Sequence, residues 1–176
     1  MRVATAVDAP ALSALVNSAY RGESSKAGWT TEADLLGGQR IDVLRIIETI
    51  AAPDNVILLE EQDRTLVGCV HLARTAEDCY LGMLTVRPTS QGAGLGRQLL
   101  EAAERWAIER WSSRAILMTV IVQRTELIAW YERRGYCRTG ERKPFPYGDE
   151  RFGLPRRADL VFDVLRKQLG TPPSAD

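Results

Sequence analysis

The amino-acid sequence predicts one α/β (α+β) domain, in which strands and helices follow one another along 176 residues. Three observations predict it. Residues 56–61 and 65–73 are apolar, β-rich runs on either side of the turn Gln62-Asp63-Arg64, the pattern of a hairpin. Residues 80–86 form a further apolar run. It leads through Pro88 and the turn Gln91-Gly92-Ala93-Gly94-Leu95-Gly96 into a segment where Leu95, Leu99, Ala103 and Trp106 recur at helical spacing. No repeat and no linker divides the chain, and its length suits a single domain.

In chain order, residues 2–5 read as a short strand. Asp8 then caps a helix with Pro10 in its first turn and Leu12, Leu15, Val16 and Ala19 on its apolar face. The polar stretch 23–28 reads as a loop. Thr31-Glu32-Ala33-Asp34 has the form of a capping box with aspartate in place of glutamate, predicting a short helix stopped by Gly37-Gly38. Residues 42–51 form an amphipathic helix through Val43, Ile46, Ile47 and Ile50, ended by Pro53-Asp54. After the hairpin and the glycine turn, residues 115–122 suit a buried strand. Residues 124–134 form a helix with Leu127, Ile128 and Tyr131 on one face, stopped by Gly135. Residues 136–141 and 160–166 are the last two strands, separated by a long loop at 144–155. The domain is expected to cover 1–168, with 169–176 as a tail.

Lysine plus arginine number 23 and so do aspartate plus glutamate, a balance that argues against a general nucleic-acid or anionic-membrane surface. No apolar run approaches a membrane span, and the N-terminus has no apolar signal core, so no export is expected. Cys69, Cys79 and Cys137 lack metal-ligand spacing and read as thiols in a reducing cytoplasm. No metal cluster is evident. One histidine with no serine elbow does not support a nucleophilic triad.

The glycine turn is chemically suggestive. A helix N-terminus leaves backbone N–H groups unpaired and carries partial positive charge, and glycines let a ligand approach the backbone. Phosphate or pyrophosphate is the natural guest. A tight turn with close helix–strand packing is the alternative. A P-loop would need Gly-Lys-Ser/Thr, but Gly96 is followed by Arg97 and Gln98. A dinucleotide fingerprint would need a small residue where Arg97 stands.

The fuller pattern, Leu84-Thr85-Val86-Arg87-Pro88 followed by Gln91-x-x-Gly94-x-Gly96 and Leu99-Leu100, resembles the acyl-CoA signature of the GNAT family of N-acetyltransferases. The resemblance fits the order of elements over residues 1–168. It implies a mixed, largely antiparallel sheet splayed into a V. Leu84, Thr85 and Val86 would hold the pantetheine arm of acetyl-CoA, and Gln91, Gly92, Ala93, Gly94, Leu95, Gly96 and Arg97 its pyrophosphate. Trp130-Tyr131-Glu132-Arg133-Arg134-Gly135-Tyr136 resembles the family's second signature, which makes Tyr131 the acid that protonates the departing thiolate. A core tyrosine with its hydroxyl bonded to backbone is the alternative. The chain departs from the family at Arg124, where an asparagine is common. Arg124 would meet a CoA phosphate or be a solvated side chain.

The general base is open. His71 is a candidate that could titrate near neutral pH, and a structural strand histidine is the alternative. Glu23, Glu32, Asp149 and Glu150 are carboxylates in segments that border the acceptor site by resemblance, and ordered water would also serve. The loops 20–29 and 144–155 would wall the acceptor pocket, with Glu23, Trp29, His71 and Tyr147 as substrate residues, and Gly82 would leave room at the reacting centre. The function expected is acetyl transfer from acetyl-CoA to a primary amine of a small molecule or peptide. A second copy of the chain is a further expected partner. A non-catalytic acyl-CoA sensor or interaction module on the same fold is the alternative, followed by a purely structural domain with an empty glycine turn.

Overall fold

The computed structural model describes residues 1–170. Its strands are β1 (Arg2–Val3), β2 (Leu36–Gly37), β3 (Asn55–Gln62), β4 (Thr65–Arg74), β5 (Cys79–Val86), β6 (Ala115–Ile121), β7 (Cys137–Pro144), β8 (Leu154–Pro155) and β9 (Val161–Gln168). Its helices are α1 (Ala9–Tyr20), α2 (Gly22–Ser25), α3 (Val43–Ala51), α4 (Leu95–Trp111) and α5 (Thr125–Glu132). Seven strands form one sheet in the order β1-β3-β4-β5-β6-β9-β7. Every neighbouring pair is antiparallel except β5 and β6. Asp63 and Arg64 both have positive φ, the backbone that a tight hairpin between β3 and β4 requires.

The sheet is packed on both faces. Leu95, Leu99, Ala103 and Ala107 of α4 and Ile128 of α5 are buried against Val67, Val70, Leu72 and Leu81. On the other face Leu12, Leu15 and Val16 of α1 and Ile46 of α3 meet Ile57, Leu59, Cys69 and Met83. Each fully buried leucine contributes about 1.5–3 kcal/mol. The fit is tight at Gly68, where a Cβ would lie 2.7 Å from Leu99 Cδ1 and 3.1 Å from Thr85 O. Only glycine lets α4 sit this close to the sheet.

Two irregularities open the middle of the sheet. β5 and β6 pair only at Cys79 with Ile116 and Tyr80 with Leu117, and beyond that point they diverge. This is the expected V. The β4–β5 register also slips: Cys69 faces Thr85 but His71 faces Gly82, so β5 carries one extra residue. Met83 there has φ 53°, an uncommon backbone for a side-chain-bearing residue, and the bulge bends β5 away from its neighbour.

The local expectations need four corrections. Asp8 does not cap α1 through its side chain. It ends a short 3-10 turn, Ala6–Asp8, and its carboxylate accepts from Thr5 N–H (2.7 Å) and from Arg2. Residues 23–28 are not all loop, because Gly22–Ser25 forms α2. The helix expected after Thr31 is absent: residues 33–35 form a turn, and Leu36–Gly37 pairs as a strand with Leu154–Pro155. There Thr31 Oγ1 accepts from Ala33 N–H (3.0 Å) without a helix following, and the neighbouring Glu32 carboxylate is drawn inward to Arg21 and Arg124. Leu169 is buried and its N–H donates to Arg114 O (2.8 Å), so the packed chain runs past 168. Residues 171–176 of the expected tail lie outside the described residues.

Candidate active site

The site starts where β5 ends and α4 begins. Gly94, at the N-cap of α4, has φ 82°, and Gly92 has φ 90°. The first helical hydrogen bond runs from Gln98 N–H to Gly94 O (3.1 Å). The N–H groups of Leu95, Gly96 and Arg97 lie ahead of that ladder, at the positive end of the helix dipole. Gly96 serves differently. A Cβ there would be in ordinary contact with Trp130 (3.6 Å) and Val86 (3.7 Å), so the missing side chain keeps the cavity floor open. The cavity, of about 250 Å³, is walled by this turn, Trp29, Arg124, Tyr131 and Arg134.

Positive charge collects at its rim. Arg134 stacks on the Trp130 ring at 3.6 Å, and its Nη1 donates to Trp130 O (2.7 Å). Desolvation, followed by the charges of Arg133 and Arg97, lowers the Arg134 pKa. An anion bound there would relieve that repulsion. Arg134 is not among the site residues expected from the sequence, although it stands three residues after Tyr131 in the quoted signature.

The exposed edge of β5 continues the cavity. Arg87 N–H bonds Val67 O (2.8 Å) on the β4 side. Backbone groups of successive residues in an antiparallel strand face opposite sides, so those of Leu84 and Val86 face the gap. Accordingly Val86 O accepts from Gln91 Nε2 (3.1 Å) and Leu84 O from the Tyr20 hydroxyl (2.9 Å). The Val86 N–H faces the gap with them. Gln91 is a strut as well as a wall, since its Oε1 also accepts from Trp29 N–H (2.9 Å). Gly28 must be glycine for this, because a Cβ there would lie 2.6 Å from Gln91 Oε1.

A second cavity, of about 390 Å³, opens on the other side of the splay. Tyr20, Leu84, Arg124, Leu127 and Tyr131 line both cavities and mark where they meet. Tyr131 is buried, edge-on to Trp130 (5.0 Å) and Tyr136 (5.6 Å). Its hydroxyl has no hydrogen-bond partner among the described residues, unlike the backbone-bonded hydroxyl of a core tyrosine. Burial raises its pKa, so it holds its proton at neutral pH.

Arg124 is neither solvated nor free. Its Nη1 donates to Glu32 Oε1 (2.8 Å), its Nη2 donates to Thr30 Oγ1 (3.0 Å), and its side chain is 9% exposed. Arg21 Nη1 grips the other oxygen of Glu32. Desolvation pushes the Glu32 carboxyl up, but Arg124 and Arg21 more than offset it and hold it below the usual carboxylate range. Glu32 is therefore a poor base. His71 lines neither cavity. Its Nε2 pairs with Asn55 Oδ1 (2.8 Å), and burial, aided by Arg40, lowers its pKa to about 4. Its Nδ1 is 3.7 Å from where a Gly82 Cβ would be.

The remaining expected acceptor residues are redistributed. Trp29 lines the glycine-turn cavity, not the second one. Glu23 is exposed and pairs with Lys26 (2.8 Å). The Tyr147 hydroxyl accepts from Leu160 N–H (2.7 Å) and donates to Arg157 O (3.0 Å), bracing its loop outside both cavities. Asp149 pairs with Arg151, and Asp149 and Glu150 line neither cavity. From the same loop Phe145 and Phe152 do reach the second cavity. Among the described residues no helix is long and apolar enough to cross a membrane.

Known proteins share this fold. The chain is 35% identical over 111 residues to an IAA acetyltransferase of Azospirillum brasilense, covering 61% of this chain and 70% of that protein. The fold matches that of yncA from Salmonella typhimurium, solved with its cofactor acetyl-CoA, with TM-score 0.70, 20% identity, and coverage of 99% of this chain and 96% of that one. It matches the ribosomal-protein-alanine N-acetyltransferase of Brucella melitensis equally well, with TM-score 0.70, 21% identity, and coverage of 96% and 98%. The family model of the acetyltransferase (GNAT) family matches residues 15–136, which hold the glycine turn, the splay and Tyr131 together, and the chain belongs to that family.

Proposed function

We propose that this protein is an acetyl-CoA-dependent N-acetyltransferase that moves the acetyl group directly onto an amine of a small molecule or peptide. The observation that carries this reading is Tyr131. Its hydroxyl is protonated, unbonded and placed where the glycine-turn cavity meets the second cavity.

The residues present suit acetyl-CoA. The free N–H groups of Leu95, Gly96 and Arg97, with Arg97 and Arg134 beside them, fit a pyrophosphate. The gap-facing backbone of Leu84 and Val86 fits an amide-bearing arm. When bound, acetyl-CoA supplies a thioester whose acyl carbon an amine can attack. The Val86 N–H would donate to the thioester oxygen as charge builds there. Tyr131 would give its proton to the sulfur, and burial that keeps the phenol protonated favours this role. Glu32 is held by two arginines and His71 is weakly basic, so neither suits removal of the amine proton; water in the second cavity is the route we assign. The compartment we assign is a reducing cytoplasm, supported by free thiols at Cys69, Cys79 and Cys137.

The test is thiol release from acetyl-CoA across a panel of amines, with the acetylated product identified by mass. At least one amine should yield an N-acetyl product. Binding of acetyl-CoA with no product from any amine would favour a sensor instead.

A further inference from the structure

The second cavity carries an excess of positive charge. Arg21, Arg40, Arg124 and Lys143 line it, against one carboxylate, Glu32. That carboxylate is already shared by Arg21 and Arg124. Both of those guanidiniums are buried, and the Nε of each has no partner. Arg40 is left over. Its side chain makes no ion pair or hydrogen bond among the described residues, and its guanidinium lies 5.6 Å from the centre of the Tyr20 ring. Arg124 faces the same ring at the same distance. The charge of Arg40 reaches into the site, contributing to the lowered pKa of both Glu32 and His71. Leu36, Ile121, Phe145, Phe152 and Phe162 give the wall an apolar part, beside the hydroxyls of Tyr20, Tyr80, Thr119 and Tyr131.

A simple alkylammonium would be repelled from such a cavity. An amine that brings its own anion would be welcomed, since a carboxylate can take the guanidinium of Arg40. The surrounding charge would also ease loss of the ammonium proton, because like charge disfavours the charged form. That helps explain how a site with no free base among its lining side chains could present a neutral nucleophile.

We propose that the acceptor is an amino acid with an apolar or aromatic side chain, its carboxylate held by Arg40, its side chain against Phe145, Phe152 and Phe162, and its amino group turned toward Tyr131 and β5. This rests on the acetyl-transfer reading for its catalytic consequence, but the anion site can be tested by binding alone. Matched sets separate the contributions: phenylalanine, phenylalanine amide and phenethylamine, and leucine, leucine amide and isopentylamine. Thiol release should show the free amino acids favoured over both neutralised forms by about 10–100-fold in kcat/KM, the range for a charge-assisted hydrogen-bonded pair. Arg40→Gln should remove that preference while leaving acetyl-CoA affinity unchanged and moving the melting temperature little, because the Arg40 side chain has no hydrogen bond or ion pair to lose among the described residues and faces the Tyr20 ring only at 5.6 Å; Arg40→Lys should restore part of it. Calorimetry with the CoA-loaded protein should show the amino acids binding and the Gln variant failing to bind them. Amino acids that bind in this Arg40-dependent way without being acetylated would uphold the anion site and sink the acetyl-transfer reading. Amines without a carboxylate turned over as well as the amino acids, or a preference that survives Arg40→Gln, would overturn the proposal and leave acetyl transfer standing.

Discussion

Arg124 Nη1 and Glu32 Oε1 meet at 2.8 Å although 92 residues separate them in the chain. Arg124 stands at the N-cap of α5, the helix that carries Tyr131, and Glu32 lies in the segment after α2. The pair fastens the wall of the second cavity to the helix that carries Tyr131. Removing one member of a buried pair leaves an uncompensated charge, at a cost of about 3–5 kcal/mol. Glu32→Gln strands two arginines and should fall in that range by urea unfolding. Arg124→Leu should cost less, since Arg21 still answers Glu32. The contribution of Glu32 is fully present above the ordinary glutamate pKa of 4.5 and is lost as pH falls through its lower folded value. Equal stability of wild type and Glu32→Gln at neutral pH would show that the pair is not a fastening.

The glycine turn separates ligand binding from folding. Acetyl-CoA should stabilise the protein by mass action, about 2.7 kcal/mol at a hundredfold excess over Kd, whereas NAD and ATP should do much less. Gly96→Leu adds atoms to the cavity floor without a backbone penalty and should abolish the thermal shift with little loss of intrinsic stability. Gly94→Ala should instead cost about 1–2 kcal/mol, because its φ of 82° is left-handed. Comparable stabilisation by NAD would overturn the acyl-CoA assignment.

Gln91 joins β5 to the Trp29 segment through bonds to Val86 O and from Trp29 N–H. Gln91→Leu keeps most of the volume and loses both bonds, at about 1 kcal/mol each. The Trp29 amide should then lose hydrogen-exchange protection, and KM for acetyl-CoA should rise more than kcat falls. An unchanged exchange rate at Trp29 would rule out the strut.

His71 should titrate at about 4 when followed by NMR, well below its ordinary 6.5. Because the folded pKa is depressed, its contribution to stability is present above about 6.5 and is lost as pH falls from there through about 4. No limb of the activity profile near neutrality should belong to it, so His71→Gln should leave the shape of that profile intact. A limb that disappears in this variant would restore His71 as a base.

What the sequence makes legible is local. The glycine turn, the helix behind it and the tyrosine before Gly135 are each written within a few consecutive residues, and the structure builds them as read. The Arg21–Glu32–Arg124 cluster is not. Its members come from three segments, and no periodicity marks a carboxylate that will be buried between two guanidiniums. The capping-box pattern at Thr31 points to a helix, but tertiary charge pairing and the short β2–β8 ladder override that local preference. Tyr147 and Phe145 are equally plausible as pocket walls in a Pro/Gly-rich loop. Contacts with distant segments separate them: Phe145 is buried with Leu36, Ile121 and Leu160, while the Tyr147 hydroxyl braces Leu160 and Arg157. Arg40 carries no local signal at all, since its meaning comes from the cavity it faces.

Tyr131→Phe is the sharpest test of the mechanism. The substitution removes one hydroxyl and keeps the edge-on packing with Trp130 and Tyr136. If the hydroxyl protonates the thiolate, turnover should fall by about 10²–10⁴-fold, the range for a general acid. Affinity for acetyl-CoA should barely change, because the lost interaction strengthens only as the sulfur gains charge. Melting temperature should hold, since the hydroxyl opens to the cavities and has no protein partner to lose. A structural tyrosine would reverse this pattern, losing about 1 kcal/mol of stability with little effect on rate. Slow product release could mask a chemical defect in steady-state turnover, so the comparison belongs in a single-turnover experiment. A wild-type single-turnover rate in Tyr131→Phe would remove Tyr131 as the acid and pass the proton donation to water or to the amine itself.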